Sequence, residues 1–452
     1  MAYYILKSYK LKTSPFNIFR KLSAQKYCFW LESSLNSEHS LGRYSFLGID
    51  PFYIFQAKNR DPFADLRKIC AQYKLDLPQT KLPFLGGAVG YFAYDLGFAL
   101  EKKLNCQPKE DSGIPDCFFG FYNTIIIIDH FKQLLYIFSV GFPEKKYHLA
   151  KTLAETNFKK AYNLISQSHI DTYRPNTKEN LHQISANFTK VNYLLAVKKA
   201  KEYIKAGDIY QVNLAQELQT KTDLSGPEIY GRLRKISPSY FSAYLDAKDF
   251  QIISSSPERF LKVEGNKVTT RPMKGTRPRS QNRLRDQRFK KALLKSAKDK
   301  AELIMIVDLE RNDLGKVCAY DSIQVNKLRQ LEGYSTVFQT TATVSGSLHK
   351  DKDRFDLLRA CFPGGSITGC PKIRAMEIIE ELEPTRRSIY TGSLGYLSFS
   401  GGLDFNILIR TILKKNNKLH FGIGGGIVAD SRPEDEYRET LVKAKAMLEA
   451  IK

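Results

Sequence analysis

The sequence predicts an α+β fold, and three features lead there. The first 143 residues have the character of strands and turns. From residue 188 onward helices and strands mix without a regular βαβ series. The chain then closes on a clear amphipathic helix. In the first region, residues 41–48 and 84–94 are short, aromatic-rich and punctuated by glycine, a pattern of bulges and close backbone approach. Thr124-Ile-Ile-Ile-Ile-Asp129 reads as a strand buried on both faces. Residues 144–168 read as a helix, ending an N-terminal region 1–168. Residues 169–187 are polar, contain Pro175, and form the expected linker to a second region, 188–452.

In that second region, residues 193–206 are expected to form a helix. Leu194, Val197, Ala200 and Ile204 make its apolar stripe, and Gly207 is its stop signal. A further helix is expected within residues 284 to about 305. The closing helix has Pro433 near its first turn, then Tyr437, Leu441, Ala444, Leu448 and Ile451 at spacings of four and three.

Composition excludes several classes of function. No apolar run reaches membrane-spanning length, and the N-terminus lacks the apolar stretch of a secretory signal. The seven cysteines are scattered without a C-x-x-C pair, which points to a reducing, cytoplasmic setting. A net charge of +23 over 452 residues invites a nucleic-acid reading. The basic residues are spread from end to end with no basic arm or RNA-binding aromatic signature, so no nucleic-acid partner is expected.

Five stretches carry chemistry. They are Gly207-Asp-Ile-Tyr-Gln-Val-Asn-Leu214, Ser254-Ser-Ser-Pro-Glu-Arg-Phe260, Pro272-Met-Lys-Gly-Thr-Arg-Pro278, Glu302-Leu-Ile-Met-Ile-Val-Asp-Leu-Glu-Arg-Asn-Asp313 and Pro363-Gly-Gly-Ser-Ile-Thr-Gly-Cys-Pro-Lys372. Gly424-Gly-Gly-Ile-Val-Ala-Asp-Ser431 and Glu439-Thr440 follow. By composition alone Glu258 is a solvated turn residue. Glu302 pairs with Lys298 and Glu439 with Lys443 at helical spacing, and the three glycines make a bend.

Together these segments resemble the chorismate-utilising enzymes, the family of anthranilate synthase component I, strongly over 185–452 and more weakly towards the N-terminus. The resemblance implies an intertwined α+β fold with a two-sheet core. It also implies a Mg²⁺-dependent replacement of the allylic hydroxyl of chorismate. Glu258 matches the general acid of that family. Glu302 and Glu439 match its magnesium ligands, with Glu436 one turn away in reserve. A hard ion that keeps its waters suits a site of carboxylates without a histidine cluster. Gly424, Gly425 and Gly426 are read as an anion nest for a substrate carboxylate, and Arg410 as a bidentate clasp. Gly275, Thr276, Ser366 and Tyr390 take further substrate hydrogen-bonding positions by the same resemblance.

Two residues choose within the family. Gln211 stands where the water-activating relatives carry lysine; an amide cannot act as that base, so ammonia becomes the incoming group. Lys274, in Pro-Met-Lys-Gly-Thr, resembles the aminodeoxychorismate branch, where anthranilate synthases look like Pro-Ile-Ala-Gly-Thr. In that branch the lysine is a covalent nucleophile, and nearby Arg271 and Arg277 are expected to help lower its pKa. The resemblance therefore implies 4-amino-4-deoxychorismate as product. No glutaminase elbow is present, so ammonia is expected from a separate glutaminase subunit. Anthranilate synthase component I, a dual-pathway enzyme and a non-catalytic chorismate-binding subunit are the alternatives. One departure stands out: Gln339 occupies the position where the family commonly has histidine.

Overall fold

The computed structural model describes residues 2–35, 40–77, 80–101, 103–104, 108–166, 183–334 and 337–452. Two antiparallel sheets form the core, and both take strands from early and late parts of the chain. Among the described residues the larger sheet has twelve strands and the smaller ten. In the larger, Phe29–Glu32 lies between Tyr44–Gly48 and Phe241–Asp246. The path continues through Gln251–Ser256, Thr411–Lys415, Lys418–Ile427 and Gln211–Lys221. In the smaller, Gly87–Phe92 pairs with Ser393–Ser398, and Met273–Pro278 pairs with Val337–Ser347. Of the expected linker, residues 169–182 lie outside the described residues, while Ser185–Ala186 pairs with Gln211–Lys221.

Between the sheets lies a continuous apolar layer rich in aromatic rings. Phe84 stacks on Tyr396 with centroids 4.4 Å apart, and Phe29 meets Tyr122 edge-on at 4.6 Å. A second cluster, on the outer face of the larger sheet, packs Trp30 and Tyr244 against Phe19, Tyr230 and the C-terminal helix. Ile125, Ile126, Ile127 and Ile128 are all buried because their strand is covered on both faces, as expected of an unbroken apolar run.

The helices show where periodicity works and where it slips. Lys190–Ala206 starts a turn earlier than the apolar stripe suggests, because the Thr189 hydroxyl caps the Asn192 N–H. Gly207 ends it in the left-handed region, at φ 84°. Its buried face is Tyr193, Ala196, Val197 and Ala200; Val197 and Ala200 are as expected, while Leu194 and Ile204 are only partly buried. The C-terminal helix Pro433–Ala450 is turned away from its expected stripe. Glu436, Thr440, Ala444, Met447 and Ala450 face inward, and Leu441 is exposed. Two polar residues can occupy the buried face because each has a partner. Ser431 donates to Glu436 at 2.6 Å, and Gln216 donates to Thr440 at 2.7 Å.

The stretch 284–305, expected to contain one helix, holds parts of two, Arg283–Lys295 and Ala297–Gly315. Ser296 is extended (ψ 112°) and serves both: its N–H closes the first helix, and its hydroxyl caps the second at Asp299. No helix among the described residues is long and apolar enough to cross a membrane.

Candidate active site

The site forms where the chain steps from one sheet to the other. Gln251–Ser256 belongs to the larger sheet and Arg259–Glu264 to the smaller, so Glu258 sits on the step between them. It is 4% exposed. Burial pushes its carboxyl up to about 7, although the Ser366 hydroxyl, the Lys274 ammonium and the Met273 N–H all favour the charged form. A carboxylic acid held near neutrality is suited to donate a proton. Glu258 is thus no solvated turn residue.

Lys274 lies in a strand, not in the loop its Pro-Met-Lys-Gly-Thr context suggests. Met273–Pro278 pairs with Val337–Ser347, and the register shifts at Gly275, a bulge with φ 73°. Only glycine fits there, since a Cβ would lie 2.9 Å from Leu293 and 3.0 Å from Asp299. The bulge turns Lys274 towards the turn Gly365–Ile367, where its Nζ donates to the Ser366 carbonyl at 3.4 Å. Burial lowers the Lys274 pKa, while Glu302 and Glu258 oppose that shift. The expected help from Arg271 and Arg277 is absent: Arg271 is paired with Glu332, and Arg277 with Asp299 at 2.8 Å. Removal from water does the work assigned to them.

Glu302 reaches the same place from the Ala297–Gly315 helix and Glu439 from Pro433–Ala450. Both helical salt bridges foreseen from spacing exist, Lys298–Glu302 at 3.9 Å and Lys443–Glu439 at 2.7 Å. They do not isolate the carboxylates. Burial raises the Glu302 pKa and the charge of Glu439 adds to it, whereas Lys443 lowers that of Glu439. Glu436 is 8% exposed, and its carboxyl is raised by burial. Among the described residues no group of three or more His, Cys, Asp or Glu side chains is gathered as a ready metal cage.

The three glycines do not form a nest. They are consecutive residues of the strand Lys418–Ile427, in register with Ala215, Leu214 and Asn213, so their N–H groups alternate in direction. What they provide is room. A Cβ on Gly425 would lie 3.3 Å from Glu436 Oε2 and 3.7 Å from Glu439 Oε1, and one on Gly426 would lie 3.1 Å from the Gln211 amide. Gln211 is fully buried, and both its side-chain polar atoms lack a partner. Two such orphans in a buried amide mark a position open to a ligand.

Arg410, at φ 52°, sits at the start of Thr411–Lys415, and its carbonyl accepts from Ser255 at 3.1 Å. No carboxylate pairs with it among the described residues, which suits a clasp waiting for an anion. Thr276 is exposed and accepts from Gln339 Nε2 at 3.3 Å; Gln339 Oε1 is buried without a partner. Tyr390 is buried and packs over Gly422, where a Cβ would lie 2.0 Å from its ring, on the same strand as the three glycines.

A cleft of about 1600 Å³ runs along the outer side of the Ala297–Gly315 helix, bordered by Ala301, Met305, Tyr210, Cys370 and Val428. Glu302 is the one described candidate on its wall. Sequence reasoning missed Lys443 as more than a salt-bridge partner: it also donates to the Gly424 carbonyl at 2.8 Å, tying the helix to the glycine strand.

With this geometry in place, the relatives can be compared. The family model of chorismate binding enzymes matches residues 26–449. This chain belongs to that family. It is 38% identical to anthranilate synthase component 1 of Acetivibrio thermocellus, over 97% of this chain and 92% of that one. It is 40% identical to aminodeoxychorismate synthase component 1 of Salmonella typhimurium, over 83% and 78%. The crystal structure of anthranilate synthase component I from Streptococcus pneumoniae superposes with a TM-score of 0.78 at 30% identity, covering 92% of this chain and 94% of that one. This member of the chorismate-binding enzymes is therefore an enzyme acting on chorismate, built on the α+β fold of anthranilate synthase component I. The relatives in sequence named here divide between anthranilate synthase and aminodeoxychorismate synthase.

Proposed function

We propose that this enzyme is the ammonia-using component of an aminodeoxychorismate synthase, converting chorismate and ammonia into 4-amino-4-deoxychorismate and water. The observation that carries the reading is the placement of Lys274 beside the buried acid Glu258 and the glutamates 302 and 439. The neutral Lys274 amine bonds to ring carbon 2 as both ring double bonds shift and the 4-hydroxyl leaves, taking the proton of Glu258 to depart as water. Ammonia then bonds to carbon 4, both double bonds shift back, the carbon–nitrogen bond to Lys274 breaks, and a proton of the new ammonium returns to Glu258. Arg410 and the space above the glycines hold the substrate carboxylates. Gln211 offers an uncharged amide and no base to activate water.

Glu302 and Glu439, with Glu436 in reserve, would hold Mg²⁺. Their donor set is oxygen only, the Glu302 carboxyl is raised by burial with a further contribution from the like charge of Glu439, and Gly425 leaves the space beside them open. The bound ion would supply positive charge for a substrate carboxylate. Chelation is expected to abolish turnover and added Mg²⁺ to restore it; activity indifferent to chelation would remove the metal from the scheme.

Ammonia would come from a glutaminase subunit in the cytoplasm. A second enzyme would eliminate pyruvate to complete 4-aminobenzoate for folate synthesis. The second reading, anthranilate synthase component I, is favoured by the 38% identical relative. Mass analysis of the product from chorismate, ammonium and Mg²⁺ separates the two. A 4-amino product that keeps its enolpyruvyl group supports the proposal; anthranilate with an equal amount of pyruvate supports the rival.

A further inference from the structure

Glu310 lies eight residues beyond Glu302 on the Ala297–Gly315 helix and is 3% exposed. It accepts the backbone N–H of Gly365 on one side, and the Thr270 hydroxyl stands 3.4 Å from its Oε2 on the other. A Cβ on Gly365 would lie 3.2 Å from Glu310 Oε1, so the carboxyl is pressed directly against the turn Gly365–Ile367. One turn further along the helix, Asp313 is paired with Lys372, at the far end of the same loop, and Lys372 also donates to the Cys361 carbonyl at 2.9 Å. The loop is thus clipped to the helix at two points.

Its middle carries the chemistry. The Ser366 carbonyl accepts from Lys274, and the Ser366 hydroxyl bonds to Glu258. We propose that Glu310 is a positioning residue. Its carboxyl seats the Gly365–Ser366 turn so that Ser366 meets the nucleophile and the acid at the same time. The inference rests on the roles of Lys274 and Glu258 proposed above.

The chemistry of the contact is specific. An apolar side chain at 310 would leave the buried Gly365 N–H without an acceptor, a cost the loop escapes by shifting. Burial, reinforced by Asp313, raises the Glu310 pKa to about 8, so at neutral pH it is mainly the acid. Both oxygens accept, one from the Gly365 N–H and the other from the Thr270 hydroxyl. Glutamine keeps the acceptor for Gly365 at the same length, and the Thr270 hydroxyl can turn to accept from its amide. Aspartate keeps the acid but withdraws it by one methylene, and methionine keeps the volume alone.

The test compares E310Q, E310D and E310M with the wild type on chorismate, well below each melting temperature. E310M and E310D are expected to lose kcat on the order of 10- to 100-fold with KM for chorismate little changed, the scale of a small misplacement of reacting groups. E310Q should keep most of the activity. Combining E310D with S366A should lose less than the product of the two single losses, because S366A already removes the hydroxyl contact to Glu258 and leaves only the carbonyl contact to Lys274 for E310D to misplace. E310D at wild-type kcat, E310Q as poor as E310M, or fully additive losses would each overturn the positioning role. If E310M does not fold, E310D and E310Q still decide, because both keep a polar group in the same pocket. A wild-type enzyme that does not consume chorismate overturns the underlying reading and this inference with it. Normal wild-type turnover with an indifferent E310D overturns this inference alone.

Discussion

Lys274→Ala is expected to abolish amination at carbon 4, by on the order of 10⁴-fold, leaving at most anthranilate-like side chemistry. The size follows from what one side chain supplies. Its amine is the nucleophile that opens the reaction, and it is held within the electrostatic reach of Glu302 and Glu258. Without it, ammonia must displace a poor leaving group unaided. Product analysis of the variant with chorismate, ammonium and Mg²⁺ is the measurement. Undiminished 4-amino product would reduce Lys274 to an electrostatic role, and the choice between the two branches of the family would lose its main support.

The second large effect belongs to Glu258. Glu258→Gln should cost about 10²- to 10⁴-fold in kcat, the usual worth of a positioned general acid. The pH profile gives the sharper sign. Glu258 works in its protonated form, so wild-type activity should fall as the pH rises through about 7, the alkaline limb of a profile whose acid limb belongs to Lys274 and ammonia, which react as neutral amines. The residual activity of the variant should lack the alkaline limb. Stability should move the other way. The folded pKa is raised above the ordinary value of 4.5, so the acid is more protonated in the folded chain than in the unfolded one. Stability is therefore lost progressively as the pH climbs from about 4.5 to about 7. The glutamine variant, which never has to lose a proton, should melt higher than the wild type at pH 8 and gain little at pH 5. Thermal melting at the two pH values tests this; equal differences at both would mean that the carboxyl is not held neutral by burial.

Much of the site was legible because its residues lie in long, ordered segments. Glu258, Lys274, Ser366, Glu302 and Glu439 all come from quoted motifs, and the first four are linked through hydrogen bonds or charge around Lys274. What was not legible depends on contacts between distant segments. The break at Ser296 is hidden in a continuous helical pattern, since serine there serves as a cap and not as an evident stop. The inward face of the C-terminal helix is misphased by a purely apolar count, because Glu436 and Thr440 are satisfied from other parts of the chain. The glycines suggested a nest only while their strand pairing was unknown. Glu310 gave no signal at all: a glutamate in a helix is the most ordinary of surface residues until the turn packed on it is seen.

The interleaving of the sheets also sets a schedule for synthesis. Phe29–Glu32 pairs with Tyr44–Gly48 on one side, a partner made at once, but its other edge is filled only by Phe241–Asp246. At ribosomal rates that partner appears roughly 10–40 s later. During that interval the nascent chain carries an open, largely apolar strand edge, the kind of template that invites a wrong neighbour. Translation speed and chaperone occupancy over the first half of the message therefore bear on the yield of active enzyme, even though no residue of Phe29–Glu32 belongs to the catalytic group.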